Sequence, residues 1–147
     1  MTKWLVAQPV GVQNGRIEYT IPERPLLHAC CAESNFGDFK VDIRPEVHPD
    51  LVADITKPIP VPDNSYAACF ADFPWTAPWK KEVSAAMKEL LRIAPIVYTI
   101  SPWTYGASWV TASFKVCYFP GVNQALLFGR YERVPNEFRR MLSPNAD

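Results

Sequence analysis

Four consecutive residues, Asp72-Phe73-Pro74-Trp75, combine an acceptor carboxylate, a backbone fixed by a proline ring and a broad aromatic face. They follow Tyr66-Ala67-Ala68-Cys69-Phe70-Ala71, an apolar run that reads as a buried strand. Asp72 then stands at a strand's carboxyl end, where open α/β sheets gather their ligands. These residue types in this order suit a flat base carrying an exocyclic amine. Such an amine is a poor nucleophile, because its lone pair is delocalised into the ring. If Asp72 and the Phe73 carbonyl accept its hydrogens, the nitrogen becomes more tetrahedral and its lone pair can be aimed at an electrophile. Fixed dipoles of this kind act where charge changes in the transition state, and in-line positioning supplies most of what remains. Trp75 offers a stacking face to a base that is flipped out or already single-stranded. The plainer assignment has Asp72 capping a loop and Trp75 packed in the core.

The elements around this run predict an α/β domain. Asn14-Gly15 lies between Val10-Gly11-Val12-Gln13 and Arg16-Ile17-Glu18-Tyr19-Thr20-Ile21, as in a type I′ hairpin, so residues 1–24 read as an N-terminal ribbon. Short strands are expected at Leu26–Cys30, Phe39–Ile43, Leu51–Ile55 and Tyr66–Ala71, with a stiff proline loop from Lys57. Between Trp79 and Ala94 the apolar residues Val83, Met87, Leu90, Leu91 and Ala94 fall on one helical face, and Pro95 ends the helix. Ile96–Ile100 completes a strand-helix-strand unit. Ser113–Phe119 and Gln124–Glu132 read as an antiparallel pair at one sheet edge, and residues 135–147 as a polar tail with a short helix over Asn136–Leu142.

The totals bound the function. The 147 residues make one domain able to bury a core, and 15 basic side chains cancel 15 acidic ones. That balance argues against tight, autonomous binding to duplex nucleic acid, which draws on neutralised phosphates. Cys30, Cys31, Cys69 and Cys117 lack zinc-ligand spacing and read as buried free thiols. No secretory leader or membrane-length apolar run is evident, so a cytoplasmic protein with reduced thiols and no membrane association is expected. His28 and His48 have no nucleophile or acid at matching spacing, and neither is favoured as catalytic.

The chain resembles the class I S-adenosylmethionine-dependent methyltransferases, and among them the amino-methylating enzymes whose motif is Asp-Pro-Pro-Tyr or Asp-Pro-Pro-Trp. Asp72-Phe73-Pro74-Trp75 carries the match, with Phe73 in place of the first proline. The likeness spans about Leu26 to Arg133 and includes the order of elements. It implies a reduced Rossmann-like, mostly parallel sheet with an antiparallel C-terminal hairpin and few helices. The implied cofactor is S-adenosyl-L-methionine, and the implied substrate is an exocyclic amine, most plausibly adenine in DNA or RNA. By the same resemblance Asp42 would bind the ribose hydroxyls with Ile43 beside it, and Asp54 would approach the adenine with Ile55 alongside. The stretch with Cys30, Ala32, Ser34 and Gly37 stands where the family has its glycine loop. Asp42 and Asp54 could instead be ordinary strand-end caps. Trp103, Tyr105 and Trp109, after the fifth strand, read either as a wall of the base pocket or as core plugs.

Two expectations follow from what is missing. Only eight residues separate Cys30 from Phe39, whereas a parallel crossover normally takes a dozen or more, so either this crossover is reduced to a single turn or the strands are not those named. With so few helices, one sheet face should be bare, which predicts a homodimer or a partner subunit. The alternatives to a nucleic-acid enzyme are an inactive methyltransferase-like subunit, or an amino-methyltransferase for protein or a small molecule.

Overall fold

The computed structural model describes residues 21–74, 80–117 and 125–142. The predicted hairpin before Ile21, Trp75 and the end of the tail lie outside the described residues. Seven strands form one sheet: β1 (Leu26–Ala29), β2 (Phe39–Asp42), β3 (Leu51–Val52), β4 (Ala68–Ala71), β5 (Ile96–Ser101), β6 (Val110–Cys117) and β7 (Leu126–Arg133). Helix α1 (Lys80–Ile93) joins β4 to β5, and α2 (Asn136–Leu142) follows β7. The spatial order is β3-β2-β1-β4-β5-β7-β6. The first five strands run parallel, while β7 pairs antiparallel with both β5 and β6. The order turns back between β1 and β4, which makes a crevice at their carboxyl ends.

Alternation along the strands splits the core into two faces. Leu27, Ala29, Val41, Cys69, Ala71 and Val97 meet the apolar stripe of α1, where Val83, Ala86, Met87, Leu90 and Leu91 are buried. Ile59 and Val61 of the proline loop extend that cover. Arg92 fastens the loop to the helix end: its Nη1 donates to the Val61 carbonyl and Asp63 Oδ1 (both 2.7 Å), and its Nε to Glu89 (3.1 Å). Glu89 in turn accepts the Ile59 N–H at 3.0 Å. The buried Ile59 N–H would otherwise have no partner.

The opposite face is closed within the chain, not left bare as its few helices suggest. Leu26, Ala68, Phe70, Tyr98, Ile100, Leu126 and Phe128 are buried together with Ile21 and Phe36. Phe36 belongs to the short first crossover. That crossover needs no helix because side chains anchor it directly to the sheet. The Leu26 N–H donates to Asp38 Oδ2 (2.7 Å), the Asp38 N–H to the Leu26 carbonyl (2.8 Å), and His28 Nδ1 bonds the Phe36 carbonyl (2.9 Å). The rings of His28, Phe36 and Phe70 pack with centroids 5.0–5.6 Å apart. Gly37 is required here: its φ is +98°, and a Cβ would lie 2.9 Å from His28 Cβ.

β3 is shorter than expected, two residues instead of five: the Ala53 N–H still continues the ladder to the Asp42 carbonyl (3.0 Å), but Asp54 then opens a turn, its carboxylate accepting the Thr56 N–H. β6 begins at Val110, three residues ahead of the predicted Ser113, since its ladder with β7 continues to Arg133. Among the described residues no helix is long and apolar enough to cross a membrane.

Candidate active site

A cavity of about 950 Å³ opens at the carboxyl ends of β1 to β4, across the reversal in strand order. Its lining includes Cys30 and Ala32 after β1, Asp42, Ile43 and Arg44 at β2, Asp54, Ile55 and Thr56 after β3, and Asp72, Phe73 and Pro74 after β4. Volume and position are those of a small-molecule site.

Each acid has a different environment. Asp42 closes β2 and is only 4% exposed, with Arg44 half exposed at 50%. Its Oδ1 accepts the Arg44 N–H (3.0 Å) and Nε (3.1 Å), and its Oδ2 accepts the Ala32 N–H (2.9 Å) and Arg44 Nη2 (3.3 Å). Burial works against its charge, but the Arg44 side chain and the two backbone donors outweigh burial and hold the carboxyl below its ordinary range. Asp54 turns back on its own loop, accepting the Thr56 hydroxyl (2.7 Å) and N–H (3.0 Å), with Lys57 Nζ at 3.7 Å. The Thr56 hydroxyl leads the donors that keep it ionised.

Asp72 is the contrary case. Its N–H continues the ladder to the Ala29 carbonyl (3.3 Å), which fixes its place beyond β4. Among the described residues its carboxyl has no hydrogen-bond partner, and burial pushes its pKa up to about 8. A neutral or partly charged acid therefore sits in a cavity whose other two aspartates are charged.

The loop after β1 makes its reversal without glycine. Cys30 (φ 54°) and Ala32 (φ 48°) both take the left-handed conformation, at roughly 1 kcal/mol or more each. The turn aims the Ala32 N–H at Asp42. Burial raises the Cys30 and Cys31 thiols, Cys31 to about 11, so neither is a thiolate at neutral pH.

Of the residues expected here, Cys30, Ala32, Asp42, Ile43, Asp54, Ile55, Asp72, Phe73 and Pro74 converge on the cavity. Ser34 and Gly37 do not. Ser34 Oγ accepts the Phe36 N–H (3.0 Å) inside the crossover, and Gly37 lies against His28 and the Leu26 carbonyl, down the sheet from the crevice. Tyr105 and Trp109 are likewise packing residues: the Tyr105 hydroxyl meets Ser84 Oγ of α1 (3.2 Å), its N–H donates to the Tyr131 hydroxyl (3.1 Å), and Arg133 lies over the Trp109 ring (5.2 Å). Trp103 is adjacent to the site, stacked at 6.3 Å on Phe73, which is itself only 1% exposed. Phe73 thus anchors the segment from Asp72 to Pro74 in the core. Trp75 is outside the described residues. Arg44, Thr56, Val47, Glu33 and Glu82 also line the cavity without having been singled out from sequence. The signal for Arg44 was its place two residues after a strand-ending acid, where a side chain can fold back on that acid.

Comparison with protein-family models and with curated proteins gives no match. Among solved structures the chain is similar to the PH0226 protein from Pyrococcus horikoshii OT3, at a TM-score of 0.54 and 10% identity over 88% of this chain and 96% of that one. The fold is a reduced Rossmann-like sheet. A SAM dependent methyltransferase from Aquifex aeolicus also aligns, at a TM-score of 0.43 and 14% identity over 75% of this chain and 81% of that one.

Proposed function

We propose that the protein is an S-adenosylmethionine-dependent methyltransferase acting on an exocyclic amine, with adenine in DNA or RNA as the substrate class best suited to the motif. The observation that carries this reading is the convergence of Asp42, Asp54 and Asp72, from three successive strand ends, on one cavity at the sheet's switch point. The residues present fit the cofactor in volume, in the ionised acids at β2 and β3, and in the apolar contact that Ile43 and Ile55 provide. Asp42 would hold the ribose, and Asp54 with Ile55 the base. Bound S-adenosylmethionine supplies an electrophilic methyl group.

The chain's own task is to present the amine. Asp72 has open acceptor capacity in a partly dry site, where a hydrogen bond to a substrate N–H is worth more than in water. An amine donating to its carboxylate favours the charged form, so substrate binding would draw the Asp72 pKa down from about 8. Asp72 then accepts one amine hydrogen, and Pro74 sets the backbone direction beside it. The half-buried Trp103 behind Phe73 resists displacement of that segment.

Calorimetry with S-adenosylmethionine tests the cofactor, and transfer of labelled methyl to DNA, RNA, protein and small amines tests the substrate. No binding at millimolar cofactor removes the reading. A second reading, a cofactor-binding subunit without activity, is favoured by the glycine-free turn at Cys30 and Ala32; binding without transfer to any acceptor would establish it. Self-association is part of the proposal, supported by Phe114 and Val116, exposed on β6. A monomer in sedimentation at micromolar concentration would remove that part.

A further inference from the structure

Asp42 is equipped with more donors than its own fold requires. Two of its acceptor positions, one on each oxygen, are filled by the backbone N–H groups of Ala32 and Arg44, and these hold the carboxylate in place whatever else binds. The remaining position on each oxygen receives a guanidinium nitrogen, Nε at 3.1 Å on Oδ1 and Nη2 at 3.3 Å on Oδ2. The carboxylate is therefore saturated. It is also asymmetric in burial, because Asp42 is 4% exposed and Arg44 is 50% exposed. The guanidinium can leave for water at low cost, and the exposed Glu46, two residues on, contributes charge that would receive it. The carboxylate cannot leave.

We propose that the Arg44 guanidinium is a displaceable occupant of the Asp42 subsite, a built-in competitor for any ligand that brings two neighbouring hydroxyl donors to this carboxylate. The inference rests on the cofactor reading above, in which that ligand is a ribose diol. The exchange balances donor for donor: two O–H groups replace two N–H groups, and the two backbone bonds persist. It also makes Arg44 a specificity residue. A ligand without the paired hydroxyls gains nothing from displacing the fork, and leaves it closed.

The test is calorimetry of S-adenosylhomocysteine and its 2′,3′-dideoxy analogue with the full chain and with Arg44→Met and Arg44→Lys. A fork closed about nine-tenths of the time reduces apparent affinity roughly tenfold, so Arg44→Met should bind S-adenosylhomocysteine about tenfold more tightly. Arg44→Lys keeps the charge but cannot form the fork, and should shift in the same direction by less; it serves alone if the Met variant fails to fold. Neither variant should gain affinity for the dideoxy analogue. Equal or weaker binding of S-adenosylhomocysteine by the variants, or an equal gain for both ligands, overturns the proposal while leaving the cofactor reading intact. No binding by any of the three proteins is instead the failure of the cofactor reading.

Discussion

The ends of β2 and β4 offer the same residue at the same structural address, and they make opposite use of it. Asp42 has every acceptor position filled and stays charged though almost fully buried. Asp72, two strands away across β1, has no partner among the described residues and is held near neutrality by burial. The difference separates holding from acting. A saturated carboxylate is a fixed anchor whose geometry is set before any ligand arrives. An unsatisfied one is costly to the fold and is repaid only when a donor binds, as expected of a group that contacts the reacting atom.

That contrast can be broken at either acid. The largest effect is expected from Asp72→Ala, which should lower methyl transfer by on the order of 10²–10³-fold with cofactor affinity little changed. Labelled-methyl kinetics beside calorimetry would show it, and undiminished transfer would strip Asp72 of its role. Asp42→Ala should act first on the fold. It leaves the Ala32 and Arg44 N–H groups without their acceptor and should cost about 3 kcal/mol in urea unfolding. A loss as small as that of a surface substitution would mean the anchor is not one.

Asp72→Asn should stabilise the protein, and the sign follows from the raised pKa. Between the ordinary value of 3.8 and about 8 the folded state keeps a proton that the unfolded chain has released, so stability falls as pH rises through that window. The amide removes the fall, and the variant should gain up to about 5 kcal/mol over the native chain at pH 8 but little at pH 4. Urea midpoints at the two pH values decide it, and a constant difference would refute the assignment. The smallest effect is expected at the third acid: Thr56→Val removes the hydroxyl that leads the support of Asp54 and should cost about 1 kcal/mol. If it costs as much as Asp42→Ala, Asp54 belongs with the anchors.

Much of this arrangement was legible in the chain. Continuous apolar runs and the five-residue helical stripe placed β4, α1 and β5, and the short helix after Pro135 has the bounds its sequence suggests. The motif residues and the acids at positions 42 and 54 were readable as strand-end acids, because each closes or follows a short apolar run bounded by turn residues. The crossover from Ala29 to Phe39 was not legible. Its stability comes from Phe36 and Asp38 meeting β1, contacts that no local periodicity announces. The aromatic loop left two readings open for a related reason: Tyr105 and Trp109 share a sheet end with Asp72, and only their partners, Ser84 of α1, Tyr131 of β7 and Arg133, show them packed.

The sequence alone determined where the apolar strands run and which acids come at or just after them, since hydrophobic pattern and chain stiffness are local properties. Only the tertiary structure decided what those residues are. Whether an aspartate is an anchor or an available acceptor depends on burial and on donors brought from elsewhere. Ala32, ten positions before Asp42, supplies one such donor, and nothing among the described residues does so for Asp72. Electrostatic free energy is set by distance in space, and position along the chain does not fix that distance until the sheet has closed.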